Sequence, residues 1–154
     1  MNPQELMILA LLIPLSAAIL ILFSKRNPAL REATTLLASL SLFLVVIQLY
    51  APVMNGERPA MELIEILPGL HLAFKLEPLG MMFSLIAATL WPINSMYSLG
   101  YMNANKEQHK TRFYASFAAS LFATMGIAFS GNLLTLFLFY ELLTLSTYPL
   151  VTHK

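Results

Sequence analysis

The chain has 154 residues, of which 58% are hydrophobic and only 11% charged, and its formal net charge is +1. Soluble domains carry about 25% charged residues, so this deficit, with a mean hydropathy of +0.70, points to a membrane protein. The small net charge and lack of a basic patch exclude nucleic acid as a partner, and the absence of cysteine excludes disulfides and thiolate metal sites.

In chain order, the first uncharged run covers 6–24. Only Glu5 carries charge before it, while Lys25 and Arg26 follow. That order lacks the positive leading region of a signal peptide and fits a retained first helix with its N-terminus outside. The second run covers 33–54, with Tyr50 placed for an interfacial aromatic belt. Residues 55–77 form the sizeable extramembrane piece. "HLAFKLE" alternates His71, Ala73, Lys75 and Glu77 against Leu72, Phe74 and Leu76, "MELIEIL" precedes it, and Pro68-Gly69 lies between. Period two on either side of a turn signal predicts a short β-hairpin.

Three further spans follow, at 79–102, 113–131 and 133–151. Each span is long enough to cross a core of roughly 30 Å at about 1.5 Å per residue. Pro14 and Pro92 fall inside spans, where neighbouring helices can satisfy the freed carbonyls. Tyr101, Phe113 and Tyr114 suit the interfacial belt. Ser120, Thr124 and Gly126 in the fourth span would permit close helix approach. The expected fold is an all-α membrane protein of about five transmembrane helices with a short outer β-hairpin. Residues 1–54 hold the first two helices, 55–77 the loop, and 78–154 the last three.

Lysine and arginine orient this arrangement. Lys25, Arg26, Arg31, Lys106, Lys110, Arg112 and Lys154 fall on one side, and Arg58 and Lys75 on the other, beside four glutamates. The excess marks the cytoplasmic side, so the N-terminus lies outside and the C-terminus inside.

The last span holds the chemistry. "LFLFYELLTLSTYPL" (136–150) carries a single carboxylate, Glu141, near its midpoint. An ionised group there costs about 2.5–3.5 kcal/mol on insertion scales. A cationic partner, a water-filled path or protonation would relieve that cost, and each places the side chain within a helix bundle. Thr144 at i+3 and Tyr148 at i+7 share its face, making a polar stripe that could hold water along a proton path. The plainer reading is a structural hydrogen-bonding residue beside hydroxyls that bond back to their own helix. Asn94 and Ser95, after Pro92, could line water or simply join helices. His71, His109 and His153 read as solvated, although His153 could feed protons towards Glu141; no histidine pair has metal-ligand spacing.

The segment 112–151, "RFYASFAASLFATMGIAFSGNLLTLFLFYELLTLSTYPLV", resembles the antiporter-like proton-conducting membrane subunits. That family includes subunits of respiratory complex I, of Mrp-type cation–proton antiporters (their D component) and of membrane-bound hydrogenases. The resemblance rests on Arg112 and the aromatics after it, Asn132-Leu133-Leu134, Tyr140-Glu141 and Thr147-Tyr148. "EPLGMMF" and "YSLGYM" at the ends of the third span are similar as well. Departures are mild: Tyr140 stands where the family usually has Trp, and Glu77-Pro78 where it often has Asp-Pro. The resemblance implies that Glu141 is the family's fifth-helix glutamate, which pairs with a lysine on the seventh helix and tunes that lysine's pKa. Family members are much longer, so an N-terminal fragment that does not conduct alone is expected.

The expected function is a proton- or sodium/proton-translocating subunit of a multisubunit membrane complex. Glu141 would act as relay, supported by Thr144 and Tyr148, in a bacterial inner membrane. Partners would be other subunits, the lipid bilayer, and protons or sodium ions. No phosphate loop, nucleophile–base pair or nicotinamide fingerprint is present, so no cofactor is expected. Catalysis, in a parent NADH:quinone oxidoreductase-type translocase, would reside in other subunits. The rivals are a structural membrane subunit without conduction and a quinone-site component.

Overall fold

The structure, a computed structural model, describes residues 3–23, 28–56, 59–67, 70–105 and 110–151. Its elements are helices α1 (Pro3–Phe23) and α2 (Pro28–Met54), strands β1 (Ala60–Leu67) and β2 (Leu70–Lys75), and helices α3 (Pro78–Asn105), α4 (Lys110–Ala128) and α5 (Leu133–Val151). Lys25, Arg26, Arg58, Pro68, Gly69, Lys106, His109, His153 and Lys154 lie outside the described residues.

Proline opens α1, α2 and α3. Its fixed φ suits the first helical position, where the missing N–H would have had no intrahelical acceptor. Pro14 and Pro92 lie within continuous helices, as expected for spans packed by neighbours. Among the described residues, Gln4–Phe23, Leu30–Met54 and Pro78–Tyr97 are long and apolar enough to cross a membrane; shorter apolar helices cover Tyr114–Ala128 and Leu133–Tyr148.

The first four helices form a ring: α1 packs against α2 and α4, and α3 closes it by touching α2 and α4. Helix α5 lies on the far side of α4 and also touches β2. Each ring helix buries one stripe at helical spacing. On α2 it is Arg31, Thr35, Ser39, Leu42, Val46, Leu49 and Val53; on α3 it is Met81, Ser84, Ala88, Trp91 and Ser95. The opposite faces are as apolar as the core. Leu37, Leu44, Ile86, Leu90 and Ile93 all point outward. Such a surface has no place in water and fits hydrocarbon.

Two glycines set how closely the helices approach. A Cβ at Gly80 would fall onto the Ala128 carbonyl oxygen, so α3 rests directly on the backbone of α4. A Cβ at Gly126 would fall into the ring of Phe139, which lets α5 lie against α4. Phe139 in turn meets Phe74 at 5.7 Å and Phe122 at 5.5 Å between ring centroids. The close approach expected of Gly126 is thus an α4–α5 contact.

The hairpin forms with β1 and β2 antiparallel, pairing Ala60 with Lys75 and Leu67 with Leu70, with irregularities around Glu65. The alternation holds at its end, where Phe74 and Leu76 are buried and Lys75 and Glu77 exposed. The fourth helix stops at Ala128, short of the 131 limit expected from hydropathy, because the chain there turns to pair with β2. The Lys75 amide donates to the Phe129 carbonyl at 2.7 Å, and the Gly131 amide to the Ala73 carbonyl at 2.7 Å. The Ala73 amide donates to Thr135 Oγ1 at 2.9 Å. At the other edge, Gln4 Nε2 donates to the Ala60 carbonyl at 3.3 Å.

Arg31 and Tyr114 depart from the places their sequence positions suggest, the first in the loop after the first span and the second in the interfacial belt. Helix α2 starts at Pro28, earlier than hydropathy suggests, which brings Arg31 into the helix and makes it only 6% exposed. Its guanidinium carbon sits 5.6 Å from the centre of the buried Tyr114 ring on α4. A planar, weakly hydrated cation on an aromatic face is a favourable arrangement away from water. It ties α2 across the ring to α4.

The glycine and arginine contacts make two stability predictions, both read by thermal unfolding in detergent. Gly80→Ala lowers stability by about 1–3 kcal/mol or more, because a backbone oxygen cannot rotate aside. Gly126→Ala also destabilises but is rescued by Phe139→Leu, whereas Gly80→Ala is not. Arg31→Lys costs about 0.5–2 kcal/mol by losing the stacked guanidinium, and the loss largely vanishes when Tyr114 is already Leu. Equal effects of Arg31→Lys in both backgrounds would show that the ring contact contributes nothing.

Candidate functional site

The helix that carries Glu141 is fixed at its start. The Thr135 amide donates to Asn132 Oδ1 at 2.8 Å, which makes Asn132 the N-cap of α5. The Leu136 amide donates to the Asn132 carbonyl at 3.1 Å. The Asn-Leu-Leu motif therefore has a local physical role: it restarts a helix right after the pairing with β2. Along the helix, Thr135 is buried and Phe139 half-buried against α4, while Phe137, Tyr140, Glu141, Thr144, Leu145 and Tyr148 are exposed.

Glu141, Thr144 and Tyr148 therefore share one face, as their spacing requires, but that face points away from the four-helix ring. Among the described residues no cation lies within ion-pair distance of Glu141. The Thr144 hydroxyl donates to the Tyr140 carbonyl at 3.1 Å, and the Thr147 hydroxyl to the Leu143 carbonyl at 2.9 Å. Both bond back to their own helix, so neither is engaged with the carboxylate in this arrangement. Glu141 is the ninth residue of a 19-residue helix, about 12 Å from its start at 1.5 Å per residue.

Other polar residues are placed differently. Ser95 is buried at 4% exposure and Asn94 half-buried on α3. Buried Ser39, Ser84 and Ser120 donate to carbonyls three or four residues back in their own helices. The interior of the ring thus carries hydroxyls that close on their own helices.

Sequence reasoning missed a cleft at the hairpin end of the bundle. It lies between the first turns of α3 and α5, over the end of α4, with a volume of about 640 Å³. Lys75 and Glu77 stand at its rim, Nζ to Oε1 3.8 Å, with side chains 51% and 61% exposed. The signal available in the sequence was the charged pair directly before the proline that opens the third span.

The chain is similar to known membrane proteins. Over 113 residues it is 28% identical to Na(+)/H(+) antiporter subunit A1 of Staphylococcus aureus strain bovine RF122 / ET3-1, and to the same subunit of strain Newman. That match covers 72% of this chain, which spans only 14% of the length of those relatives. In fold it matches a chain from the membrane-bound sulfane sulfur reductase, an archaeal respiratory membrane complex, with a TM-score of 0.76 and 23% identity over 94% of this chain and 22% of that one. No protein-family model matches. The resemblance to antiporter-type membrane subunits, read from the third to fifth spans, is borne out by the match to the antiporter subunits, and the match to the respiratory complex shows the fold; the curated relatives carry the designation A1 rather than D. The all-α membrane fold is borne out as well, and the chain is an integral membrane protein.

Proposed function

We propose that this chain belongs to a cation/proton-translocating membrane complex, in which Glu141 acts as an intramembrane relay carboxylate. The observation that carries the reading is the outward-facing stripe of Glu141, Thr144 and Tyr148 midway along an apolar helix. A carboxylate at that depth cannot rest against lipid at low cost. It calls for a neighbour that brings a cation or water, and the similarity to antiporter and respiratory membrane subunits supplies the context for such a neighbour. In that setting an opposite charge within about 4–6 Å favours the ionised carboxylate. Occupancy of the pair then decides whether a proton, or a sodium ion, is held or passed on.

Residues 1–54 and 78–154 would lie in the bilayer and 55–77 outside it. The split of lysine and arginine orients the N-terminus outward and the C-terminus to the cytoplasm of a bacterial inner membrane. Thr144 and Tyr148 would shape hydration around Glu141 once their face is covered. Any redox step driving transport would take place in other subunits.

A second reading has an observation in its favour. Because Thr144 and Thr147 bond to their own backbone, Glu141 could instead serve only to hold a neighbouring subunit by an ion pair.

Glu141→Gln separates the two when introduced into the protein in its native membrane. Transport, followed as cation-dependent pH change in everted vesicles, is expected to fall to background while the complex remains assembled on native gels. Loss of assembly with the same substitution would favour the structural role. Unchanged transport and assembly would remove Glu141 from the mechanism, and altered quinone-site inhibitor binding alone would move it to a quinone pocket.

A further inference from the structure

The cleft between α3 and α5 has the composition of a lipid site. Its two walls, α3 and α5, both rest on α4, and the end of α4 forms the floor. Leu79 and Leu133, the first apolar side chains of those walls, are each 81% exposed, and Phe83 and Leu136 continue the walls one turn deeper. Above them stand Lys75 and Glu77, on the last residue of β2 and the residue before α3. Apolar walls below and a charged rim above place the cleft where hydrocarbon gives way to headgroups.

The rim fixes the headgroup chemistry. A lysine and a glutamate side by side present one cation and one anion, so a net-negative headgroup would meet Glu77 as a repulsive neighbour. A zwitterion with a phosphate for Lys75 and a hydrogen-bonding ammonium for Glu77 satisfies both. The two side chains are half-exposed and 3.8 Å apart, a loose pairing that a ligand can enter. A quaternary ammonium has no N–H to donate to the carboxylate, so the primary ammonium is the better fit.

We propose that this cleft binds a phosphatidylethanolamine molecule, with its phosphate on Lys75, its ammonium on Glu77 and an acyl chain between Phe83 and Leu136. The lipid seals the open side of the α4–α5 reversal. This site is separate from the Glu141 stripe, so its occupancy can be tested whatever Glu141 does.

The test uses the protein extracted from its native membrane with whatever it assembles with, delipidated in mild detergent and titrated with phosphatidylethanolamine, phosphatidylcholine or phosphatidylglycerol. Bound lipid is counted by native mass spectrometry. Phosphatidylethanolamine is expected to be retained over the other two, and Lys75→Ala and Glu77→Ala each to weaken retention roughly tenfold or more. Lys75→Glu combined with Glu77→Lys is expected to restore it, because the headgroup can turn end for end. Thermal unfolding without lipid should be the same for all variants, since both side chains are on the surface. Retention unaffected by the single substitutions, or not restored by the exchange, overturns the proposal. A photo-crosslinker placed by Leu133→benzoylphenylalanine should give a phosphatidylethanolamine adduct. An adduct to polypeptide, an adduct to another lipid, or no adduct at all overturns it as well.

Discussion

A backbone amide in hydrocarbon has no solvent to bond with, and the structure is arranged around that constraint. Helices meet it by themselves over most of the chain. Among the described residues, one place where helical bonding stops is the four-residue reversal between α4 and α5. There the hairpin provides the missing partners: β2 takes up Phe129 and Gly131 as if they were a fragment of a third strand, and Thr135 accepts from Ala73. Phe74, buried on the inner side of that strand, reaches Phe139 and joins the hairpin to the helix pair. The hairpin is thus part of the membrane fold rather than an ornament on its surface.

The same apolar surroundings decided what the sequence could reveal. Span positions were legible from length and hydropathy, and the hairpin from the alternation around Phe74 and Leu76. Which face of each helix is buried was not, because Leu37 outside α2 and Leu42 inside it are chemically alike. Arg31 misleads for a related reason. A charge near the end of an apolar run reads as a loop residue, whereas Pro28 starts the helix early and Tyr114 offers the guanidinium a face to stack on. The role of Gly126 as a close-approach residue was legible, but its partner, Phe139, was visible only once α5 had been placed.

At the candidate site, the common face of Glu141, Thr144 and Tyr148 followed from helical spacing alone. Its direction did not. Helix α5 turns towards α4 the residues that fit it, Phe139 over Gly126 and Thr135 under the hairpin, and this leaves the polar stripe on the opposite side. Packing of the short aromatic cluster therefore sets the azimuth of the carboxylate. An alteration at Phe139 or Gly126 would rotate Glu141 relative to any neighbour without touching it.

The bond from Ala73 to Thr135 spans 62 positions of sequence. During synthesis at about 5–20 residues per second, the strand is made seconds before its acceptor exists. The edge of β2 must wait in that interval beyond the bilayer surface with its amides hydrated, and it closes only when the α4–α5 pair arrives. The contact between strand and bundle is consequently completed at the extramembrane rim, with α5 locking a strand that was exported seconds before it.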